Sequence, residues 1–347
     1  MAGQMEPNDI VDNNSEVRYL LAVTGYKSPL IEDYIDDIDE EAEKAFGNRV
    51  FSLLEDKRIQ EEVTDLTQIA EGSYGKIFAR NNKAYKRISL IVDDYYDPSA
   101  ALREIFVLRN LAHNNVMSMM SFSLDENSVY IAFERAVSDL ATLLYAGKVG
   151  FTEEEWTKTY INDKQSDDRL NPSLMIDLIE GLNYIHSNGF LHRDIKPANL
   201  LIMSDGRLCI CDFGCASDCN YSVMETIILV GTHRYIDISI LSQGYKVTYD
   251  TFSDLWSAAC VILEIALLLP LVTKTPLEVC VTSARQGFNR FAPLIEQLIS
   301  VLSRENPLMC IYNDTLRTLL LTMLSLDKKK RITAPEILKS LNEINDL

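Results

Sequence analysis

The sequence predicts an α+β protein of two lobes, in which a small antiparallel-sheet lobe with one main helix precedes a larger, mostly helical lobe. The length of 347 residues suggests two compact units or one large two-lobed unit, because domains usually contain roughly 100–200 residues. Strand-like segments and tight turns dominate from Asp65 to Leu90, whereas helical periodicities dominate from Leu140 onward. Hydrophobic residues make up 47% of the chain and charged residues 24%, a balance that allows a sizeable buried core.

Three strands are predicted at the start of the small lobe. Leu66–Ala70 leads into a glycine-containing turn at residues 71–75. Lys76–Arg80 and Ala84–Leu90 follow as two further strands with β-type composition. The Asn81–Asn82 pair between them suits the tight turn of an antiparallel hairpin, so these two strands are expected to be neighbours.

The main helix of the small lobe is predicted to begin at Asp97 and Pro98. Asp is a favourable N-cap residue, and Pro is favoured at the first helical position. Val129–Phe133 is predicted as a later strand of the same lobe. The apolar positions that follow the helical period after Pro98 are Leu102, Ile105, Phe106, Leu108 and Leu111.

Residues 1–63 are predicted to form an acidic N-terminal extension that is partly disordered. Residues 31–43 contain eight acids and no base, and such runs are usually solvated. A helix in this segment would nevertheless carry an apolar stripe at helical spacing. Two interpretations remain open: a solvated segment that packs loosely on its own domain, and a helix that docks on a partner. The residues of the stripe are Ile31, Tyr34, Ile35 and Ile38.

Charge, cysteine content and hydropathy limit the class of partner and the compartment. The net charge of −18 argues against binding to nucleic acid or to an anionic membrane. Seven cysteines, an odd number, favour a reducing compartment and so an intracellular location in the cytoplasm or nucleus. The first residues lack the features of a signal peptide. Glu264 and Pro270 interrupt the longest apolar stretch, Ala258–Val272, which predicts a buried core helix rather than a membrane span.

The segment from Leu191 to Ile202 contains the residues that indicate phosphoryl transfer. Asp194, Lys196 and Asn199 are close enough in sequence to converge at the mouth of one loop. Phosphoryl transfer needs such a set: a carboxylate for the incoming hydroxyl, a cation for the moving phosphoryl group, and a metal ligand. Each residue alone would be uninformative, but the complete run is highly specific.

A second motif, Cys211-Asp212-Phe213-Gly214, follows at a defined distance from Asn199. A lone Asp-Phe-Gly sequence carries little information, because many loops contain one. After the first motif it becomes informative, and its Asp212 would hold Mg²⁺ between phosphate groups.

The amino-terminal half supplies matching parts. The Ile69–Ile77 segment resembles a glycine loop that covers phosphates, since glycine lets the backbone approach a ligand closely. Lys86 follows Gly75 on a predicted strand, and Glu104 on the predicted helix could pair with it. A solitary Lys–Glu pair is usually a surface pair of little consequence. Here the order and spacing of all these parts agree, which favours a functional interpretation.

These motifs together resemble a eukaryotic-type serine/threonine protein kinase over residues 64–341. Lys196-Pro197 within the catalytic loop is similar to the serine/threonine class. Pro98–Glu104 resembles the partner-binding helix of the cyclin-dependent-kinase group, and Asp254–Ser257 resembles the buried helix that supports the catalytic loop.

The resemblance implies a two-lobed protein kinase domain over residues 64–347, with an N-lobe of about residues 64–136 and a C-lobe of about residues 137–347. A compact, divergent kinase core with an acidic extension also resembles the kinases of large DNA viruses. A viral member would act inside the host cell.

The resemblance also implies ATP and Mg²⁺ as cofactors and assigns roles by position. Asp194 would accept or orient the proton of the substrate hydroxyl, and Lys196 would steady the γ-phosphate. Asn199 and Asp212 would bind Mg²⁺, and Lys86 would hold the α- and β-phosphates. The remaining nucleotide-site residues that it implies are Ile69, Ala70, Gly72, Ser73, Gly75, Ile77, Glu104, Glu134, Ala136 and Asp139.

Two departures from the family pattern stand out. Ala70 replaces the first glycine of the phosphate loop, for which we expect tighter geometry without loss of binding. Asp237-Ile238-Ser239 stands where kinases normally have Ala-Pro-Glu, so Arg331 lacks the Glu with which it usually pairs. A lone buried guanidinium would be costly. Either Asp237 or another acid substitutes, or this region is rebuilt.

Two modes of regulation are expected from the resemblance. Arg193 beside Asp194 suggests control by a phosphate on the activation loop, at Thr226 or, failing that, Ser222. The Pro98–Arg103 helix could bind a cyclin-like activator, or it could be only the kinase's own packed helix. Thr232 is expected beside Asp194, where the protein substrate docks.

Two alternative interpretations concern function. A zinc site from four nearby cysteines is less consistent with their spacing than thiols packed in the core. A pseudokinase scaffold that binds partners without catalysis usually lacks the strand lysine or a catalytic aspartate, and Lys86, Asp194 and Asp212 are all present here. The four cysteines are Cys209, Cys211, Cys215 and Cys219.

Overall fold

The computed structural model describes residues 65–72, 75–92, 95–145, 172–219, 230–241, 247–267, 314–325 and 327–345. The predicted extension 1–63, the loop residue Ser73 and the activation-loop residues Thr226 and Ser222 lie outside these ranges. The strands are β1 (Thr67–Gly72), β2 (Gly75–Arg80), β3 (Lys83–Ser89), β4 (Ile91–Val92), β5 (Tyr95–Tyr96), β6 (Met119–Asp125), β7 (Ser128–Glu134), β8 (Ser138–Asp139), β9 (Phe190–Leu191), β10 (Leu200–Ile202), β11 (Leu208–Ile210) and β12 (Ser217–Asp218). The α-helices are α1 (Ser99–Asn110), α2 (Leu140–Tyr145), α3 (Pro172–Ser187), α4 (Ile238–Leu241), α5 (Thr251–Leu267), α6 (Asp314–Met323) and α7 (Ala334–Asn345).

The small lobe is a five-stranded antiparallel sheet with the order β1-β2-β3-β7-β6. Asn81 and Asn82 form the predicted hairpin turn between β2 and β3, and Asn81 adopts the left-handed φ of 53° that Asn tolerates. The other predicted strands are also present, with small shifts at their ends. The sequence did not predict β6, which is rich in Met and Ser and forms because it pairs with β7 over most of its length.

Helix α1 packs on one face of this sheet. The helix begins at Ser99 with Pro98 in the N-cap position and without a side-chain cap, so the predicted N-cap at Asp97 was wrong by one residue. Ile105 and Leu108 are fully buried, as the predicted apolar period requires. Leu111 is also buried but follows the helix as its C-cap.

The large lobe is helical and is built around α3 and α5, which contact each other. The apolar stretch predicted as a core helix begins within α5, where Ala258–Ala266 is buried. Glu264 in its centre is buried as well, and accepts a hydrogen bond of 3.1 Å from the Tyr235 hydroxyl. Among the residues that the structure describes, no helix combines the length and apolarity needed to cross a bilayer.

A small sheet of β8, β10 and β11 adjoins the catalytic segment. Its central strand β10 ends that segment, β11 follows it, and β8 comes from the segment that joins the lobes. β11 ends at Ile210, so Cys211 lies just beyond that strand. Cys209 and Cys215 are buried free thiols. Within the described ranges no group of three or more His, Cys, Asp or Glu side chains could hold a metal ion.

Candidate active site

Three charged side chains from distant parts of the chain meet in the cleft between the lobes. The Nζ atom of Lys86 on β3 lies 2.5 Å from Oε2 of Glu104 on α1 and 2.6 Å from Oδ1 of Asp212. Lys86 and Glu104 are buried, and Asp212 keeps part of its carboxylate exposed. The sequence predicted the Lys86–Glu104 pair, and the fold adds Asp212 to it.

Burial and charge act in opposite directions on this cluster. Burial by itself lowers the pKa of Lys86, but the carboxylates of Glu104 and Asp212 outweigh it and hold that pKa above its ordinary value. Burial raises the pKa of Glu104 to about 7 against the opposing charge of Lys86. The Oε1 atom of Glu104 is buried and accepts no hydrogen bond from the described residues, which is consistent with a raised pKa. For Asp212 the burial is outweighed by Lys86, so its pKa is lowered.

The catalytic loop brings a second set together around the carboxylate of Asp194. Lys196 Nζ donates to Asp194 Oδ2 at 2.8 Å and to Thr232 Oγ1 at 2.9 Å. Thr232 donates its backbone N–H and its hydroxyl to Asp194 Oδ1, at 2.8 and 2.7 Å. The Asn199 amide donates to the Asp194 carbonyl at 2.8 Å and to its carboxylate at 3.1 Å. The predicted convergence of Asp194, Lys196, Asn199 and Thr232 is therefore present.

The carboxylate of Asp254 on α5 holds the backbone of this catalytic loop in place. Its carboxylate accepts the backbone N–H groups of His192 and Arg193, each at 2.8 Å, and lies 2.9 Å from Nε2 of His186. Burial alone would raise the pKa of Asp254, but the hydrogen bond and charge of His186 lower it below its ordinary value. His186 therefore contributes to the packing of the loop, and α5 fixes the backbone that carries Asp194.

The glycine loop is the hairpin between β1 and β2. Gly75 has φ +149°, and a Cβ placed there would lie 2.2 Å from the carbonyl oxygen of Arg87 on β3, so only glycine fits. Ala70, in the place of the first glycine, pairs with Ile77 across the hairpin. Ile69 is 48% exposed at the edge of the sheet.

The segment that joins the lobes contains Glu134, Ala136 and Asp139. Glu134 is exposed and ends β7. Ala136 packs against a small apolar cluster that also receives Phe133, Leu201 and Cys211. The Asp139 carboxylate caps α2 by accepting hydrogen bonds from the backbone N–H and the hydroxyl of Thr142, at 2.8 and 2.7 Å, so this residue implied for the nucleotide site is already engaged.

Sequence reasoning missed two residues of this apolar cluster. Leu201 on β10 and Cys211 pack against the same buried cluster as Ala136, a nucleotide-site residue that the resemblance implies. The sequence offered little signal for them, because Asn199 ends a 3₁₀ turn and the strand contains only Leu200–Ile202, so strand alternation does not relate Leu201 to Asn199.

The comparison with known families explains why these two clusters occur together. The protein kinase domain family matches residues 63–341 of the chain. The chain belongs to the protein kinase family. The prediction of a eukaryotic-type serine/threonine kinase of the cyclin-dependent-kinase-like group is thereby confirmed, as is the two-lobed α+β fold.

Two curated relatives are cyclin-dependent kinases. The chain is 31% identical to cyclin-dependent kinase 12 of Drosophila melanogaster over 226 residues, which cover 59% of this chain and 18% of the relative. It is 27% identical to cyclin-dependent kinase G1 of Arabidopsis thaliana over 336 residues, which cover 87% of this chain and 52% of the relative. The chain thus spans about half the length of one of these kinases and less than a fifth of the other.

One departure of this kinase domain from the family pattern is resolved by the structure. Arg331 forms a two-pronged ion pair with Asp237, at 2.5 and 3.0 Å, and both side chains are almost completely buried. Its guanidinium also donates to the carbonyl of Ser325 at 2.8 Å and lies over the ring of Trp256. Of the alternatives left open by the sequence, Asp237 is the acid that substitutes, from a position two residues before Ser239.

Two arginines of the kinase domain hold the segment after Asp212. Arg103 of α1 donates to the Gly214 carbonyl at 2.6 Å. Arg193 donates to the carbonyls of Cys215 and Ala216, at 2.6 and 3.3 Å, and lies over the ring of Tyr249. The predicted phosphorylation at Thr226 falls outside the described residues and stays a prediction.

The oxygen atoms near Asp212 fit a magnesium ion. Asp212 offers a partly exposed carboxylate, and Asn199 uses its amide N–H₂ on Asp194, which leaves its Oδ1 as an acceptor. Mg²⁺ is usually held by one or two protein oxygens together with substrate phosphates and water, rather than by a complete protein cage. The described residues contain no such cage, and this pair of oxygens fits the usual arrangement.

Proposed function

We propose that the chain is an ATP-dependent serine/threonine protein kinase that transfers the γ-phosphate of Mg-ATP to a hydroxyl of a protein substrate. The observation that carries this proposal is the meeting of two clusters in one cleft. Lys86, Glu104 and Asp212 form the first, and Asp194 with Lys196 belongs to the second. The membership of the protein kinase family supports it independently.

The proposed reaction divides the work between these residues. Asp194 orients the substrate hydroxyl and takes its proton, while the hydroxyl oxygen forms a bond to the γ-phosphorus. The bond from that phosphorus to the bridging oxygen of ADP breaks, and the electron pair leaves with ADP. Lys196 lies 2.8 Å from Asp194 and is placed to stabilise the moving phosphoryl group. Thr232 fixes the Asp194 carboxylate in this orientation.

On the nucleotide side, Lys86 is proposed to contact the α- and β-phosphates, with Glu104 keeping its ammonium group in place. The β1–β2 hairpin would cover the phosphates. Asn199 and Asp212 would hold Mg²⁺, which when bound neutralises charge on the phosphate oxygens. Leu201 and Ala136 would form apolar contacts with the adenine.

The partners proposed for this kinase are protein substrates and, at the Pro98–Arg103 segment, a cyclin-like activator. The curated relatives bear the name cyclin-dependent kinase, which supports this partner class. Buried free thiols at Cys209, Cys215 and Cys260 support an intracellular, reducing location.

Phosphate incorporation by the purified chain tests the proposal. With Mg-ATP and a degenerate peptide library, we expect incorporation on Ser and Thr and none on Tyr. Asp194→Asn should lower the rate by roughly 10²–10⁴-fold, since it removes the proton acceptor but preserves the shape of the side chain. The same variant should still bind Mg-ATP.

Two results would contradict this function. Incorporation that survives Asp194→Asn would come from a contaminating kinase. A wild-type chain that binds Mg-ATP but transfers no phosphate to any peptide would be a pseudokinase scaffold.

A further inference from the structure

The five-stranded sheet has an inner face and an outer face, and the strand register assigns residues to each. Lys86 on β3 marks the inner face, because it meets Glu104 of α1. Directly paired residues of neighbouring strands share a face, and successive residues alternate. The neighbour of Lys86, Tyr85, therefore belongs to the outer face. The row paired across that face is Phe78, Tyr85, Ala132 and Ser121.

The centre of this outer face is shielded from solvent. Tyr85 is 7% exposed, Ser121 4% and Ala132 2%. Neither Tyr85 nor Ala132 joins the hydrophobic clusters that the described residues form. Helix α1 cannot shield them, because it lies on the opposite face with Glu104. A large ring in the middle of an uncovered sheet face would be considerably more exposed, so a further segment covers it.

The rim of the same face carries charges of both signs. Lys76 pairs with Arg87, and Arg80 pairs with Lys83, all on the side of Tyr85. Glu71 pairs with Lys76, at 3.7 Å between the charged groups, and Glu134 pairs with Lys83, so two acids share this face with the four bases. The surface thus combines an apolar centre with an edge of mixed charge in which bases outnumber acids. Its complement is a segment with an apolar stripe flanked by charges of both signs.

Residues 44–63, which precede β1, have that composition. They contain four acidic and four basic residues. Within them an apolar stripe recurs at i, i+4, i+7 and i+8, as on one face of a helix. This stretch leads directly into β1, a strand of the sheet itself, so its local concentration at the outer face is high. The residues of the stripe are Phe46, Val50, Leu53 and Leu54.

We propose that residues 44–63 of the acidic extension dock on the outer face of this sheet in the same molecule, with the Phe46–Leu54 stripe over Tyr85 and Ala132. The charged run from Glu55 to Arg58, directly after the stripe, lies against the rim of mixed charge. The extension is then a structural part of the small lobe. It supports β3, the strand that carries Lys86, from the side opposite α1. This inference does not depend on the kinase activity proposed above.

Hydroxyl-radical labelling of the full-length chain, measured residue by residue with mass spectrometry, tests the docking. We expect Tyr85 to be protected in the wild type. Leu53→Asp places a charge in the stripe and should raise the labelling of Tyr85 several-fold. Ser52→Asp adds the same charge one residue away, on the side of a helix opposite the stripe, and should leave Tyr85 protected. Tyr184 in α3, which stacks on His113, serves as the internal reference for global unfolding.

If Leu53→Asp also exposes Tyr184, the milder Leu53→Ser variant replaces it and must raise labelling at Tyr85 alone. Protection of Tyr85 that persists in both Leu53 variants while Tyr184 stays protected would overturn the proposal. Protection that decreases on dilution of the wild-type chain would also overturn it, because a second copy would then be the cover. Protection independent of concentration and lost only in the stripe variants would establish docking within one molecule.

Discussion

At the residue scale, the pair of Asp237 and Arg331 shows how a missing motif residue is replaced. The carboxylate comes from a different sequence position, yet it reaches the same arginine with two hydrogen bonds. The buried guanidinium of Arg331 needs a counter-charge, and Asp237 supplies it although the Ala-Pro-Glu motif is absent.

Removal of this counter-charge should be costly. We expect Asp237→Asn to lower the free energy of unfolding by roughly 3–5 kcal/mol, because it leaves the buried guanidinium of Arg331 without a charge partner. The exposed pair Arg207–Asp205 is the matched control, and Asp205→Asn should change stability little. Urea unfolding of both variants measures the difference. Equal, small effects would show that the Arg331 pair is not truly desolvated.

Cysteine reactivity gives a pH-dependent prediction. Burial raises the pKa of Cys209 from 9.0 to about 11, so little thiolate is present at pH 8.5. We expect iodoacetamide to alkylate Cys209 in the folded chain roughly 100-fold more slowly than in urea, from the two-unit difference in pKa. The rate should rise with pH up to about 11.

The sign for stability follows from the same shift. A thiol whose folded pKa is raised contributes stability that is fully present below its unfolded pKa of 9.0 and is lost as pH rises through about 11. Fast alkylation of Cys209 in the folded chain at pH 8.5 would contradict its burial.

At the scale of elements, the hairpin of β1 and β2 depends on one close backbone approach. Gly75 lies against the carbonyl of Arg87 on β3, so the phosphate-covering loop is pressed onto the strand that carries Lys86. The conformation of the loop and the position of Lys86 are therefore linked through the contact between Gly75 and Arg87. A side chain at position 75 would break this contact. Two glycines in a sequence do not reveal such a contact, since Gly189 and Gly206 also have positive φ but have open space around them.

Gly75→Ala should displace this hairpin. The added methyl would lie 2.2 Å from the Arg87 carbonyl, so β1 and β2 must move and the affinity for a fluorescent ATP analogue should fall. Gly206→Ala is the control, because Gly206 also has a positive φ, of +88°, but has no atom within 4 Å of the added methyl. That variant should cost only roughly 1–2 kcal/mol of backbone strain and keep nucleotide affinity. Equal nucleotide affinities in both variants would show that the β1–β2 hairpin does not contribute to nucleotide binding.

At the scale of the whole molecule, the acidic balance of the chain predicts how substrates approach. A net charge of −18 attracts basic peptides over distances beyond direct contact. We expect KM for a Lys/Arg-rich peptide to rise several-fold between 50 and 300 mM salt, since screening shortens the range of attraction to below about 10 Å. An acidic peptide of equal length should show the opposite trend. A KM without salt dependence for both would argue that local contacts alone select the substrate.

Much of the site could be predicted from local sequence, because its functional residues occur in short motifs. Asp194, Lys196 and Asn199 are within one loop, and their convergence needs only that loop. Lys86 and Glu104 were paired from their order along the chain, and the pair is present. Leu201 and the strand β6 were missed, because their roles come from packing and pairing partners rather than from their own residue types.

The sequence by itself determined the order of the phosphate loop, the strand lysine, the catalytic loop and the metal-ligand candidates, since short-range spacing encodes each of them. Only the tertiary structure showed that Asp237 forms the ion pair with Arg331, 94 residues away in the sequence, and that Tyr85 is shielded from solvent on the outer face. Both depend on which distant surfaces come into contact and exclude water. The partner of a buried charge or ring is therefore set by the whole fold. Many residues of the sequence could in principle pair with such a group, but the packed structure brings only a few of them next to it.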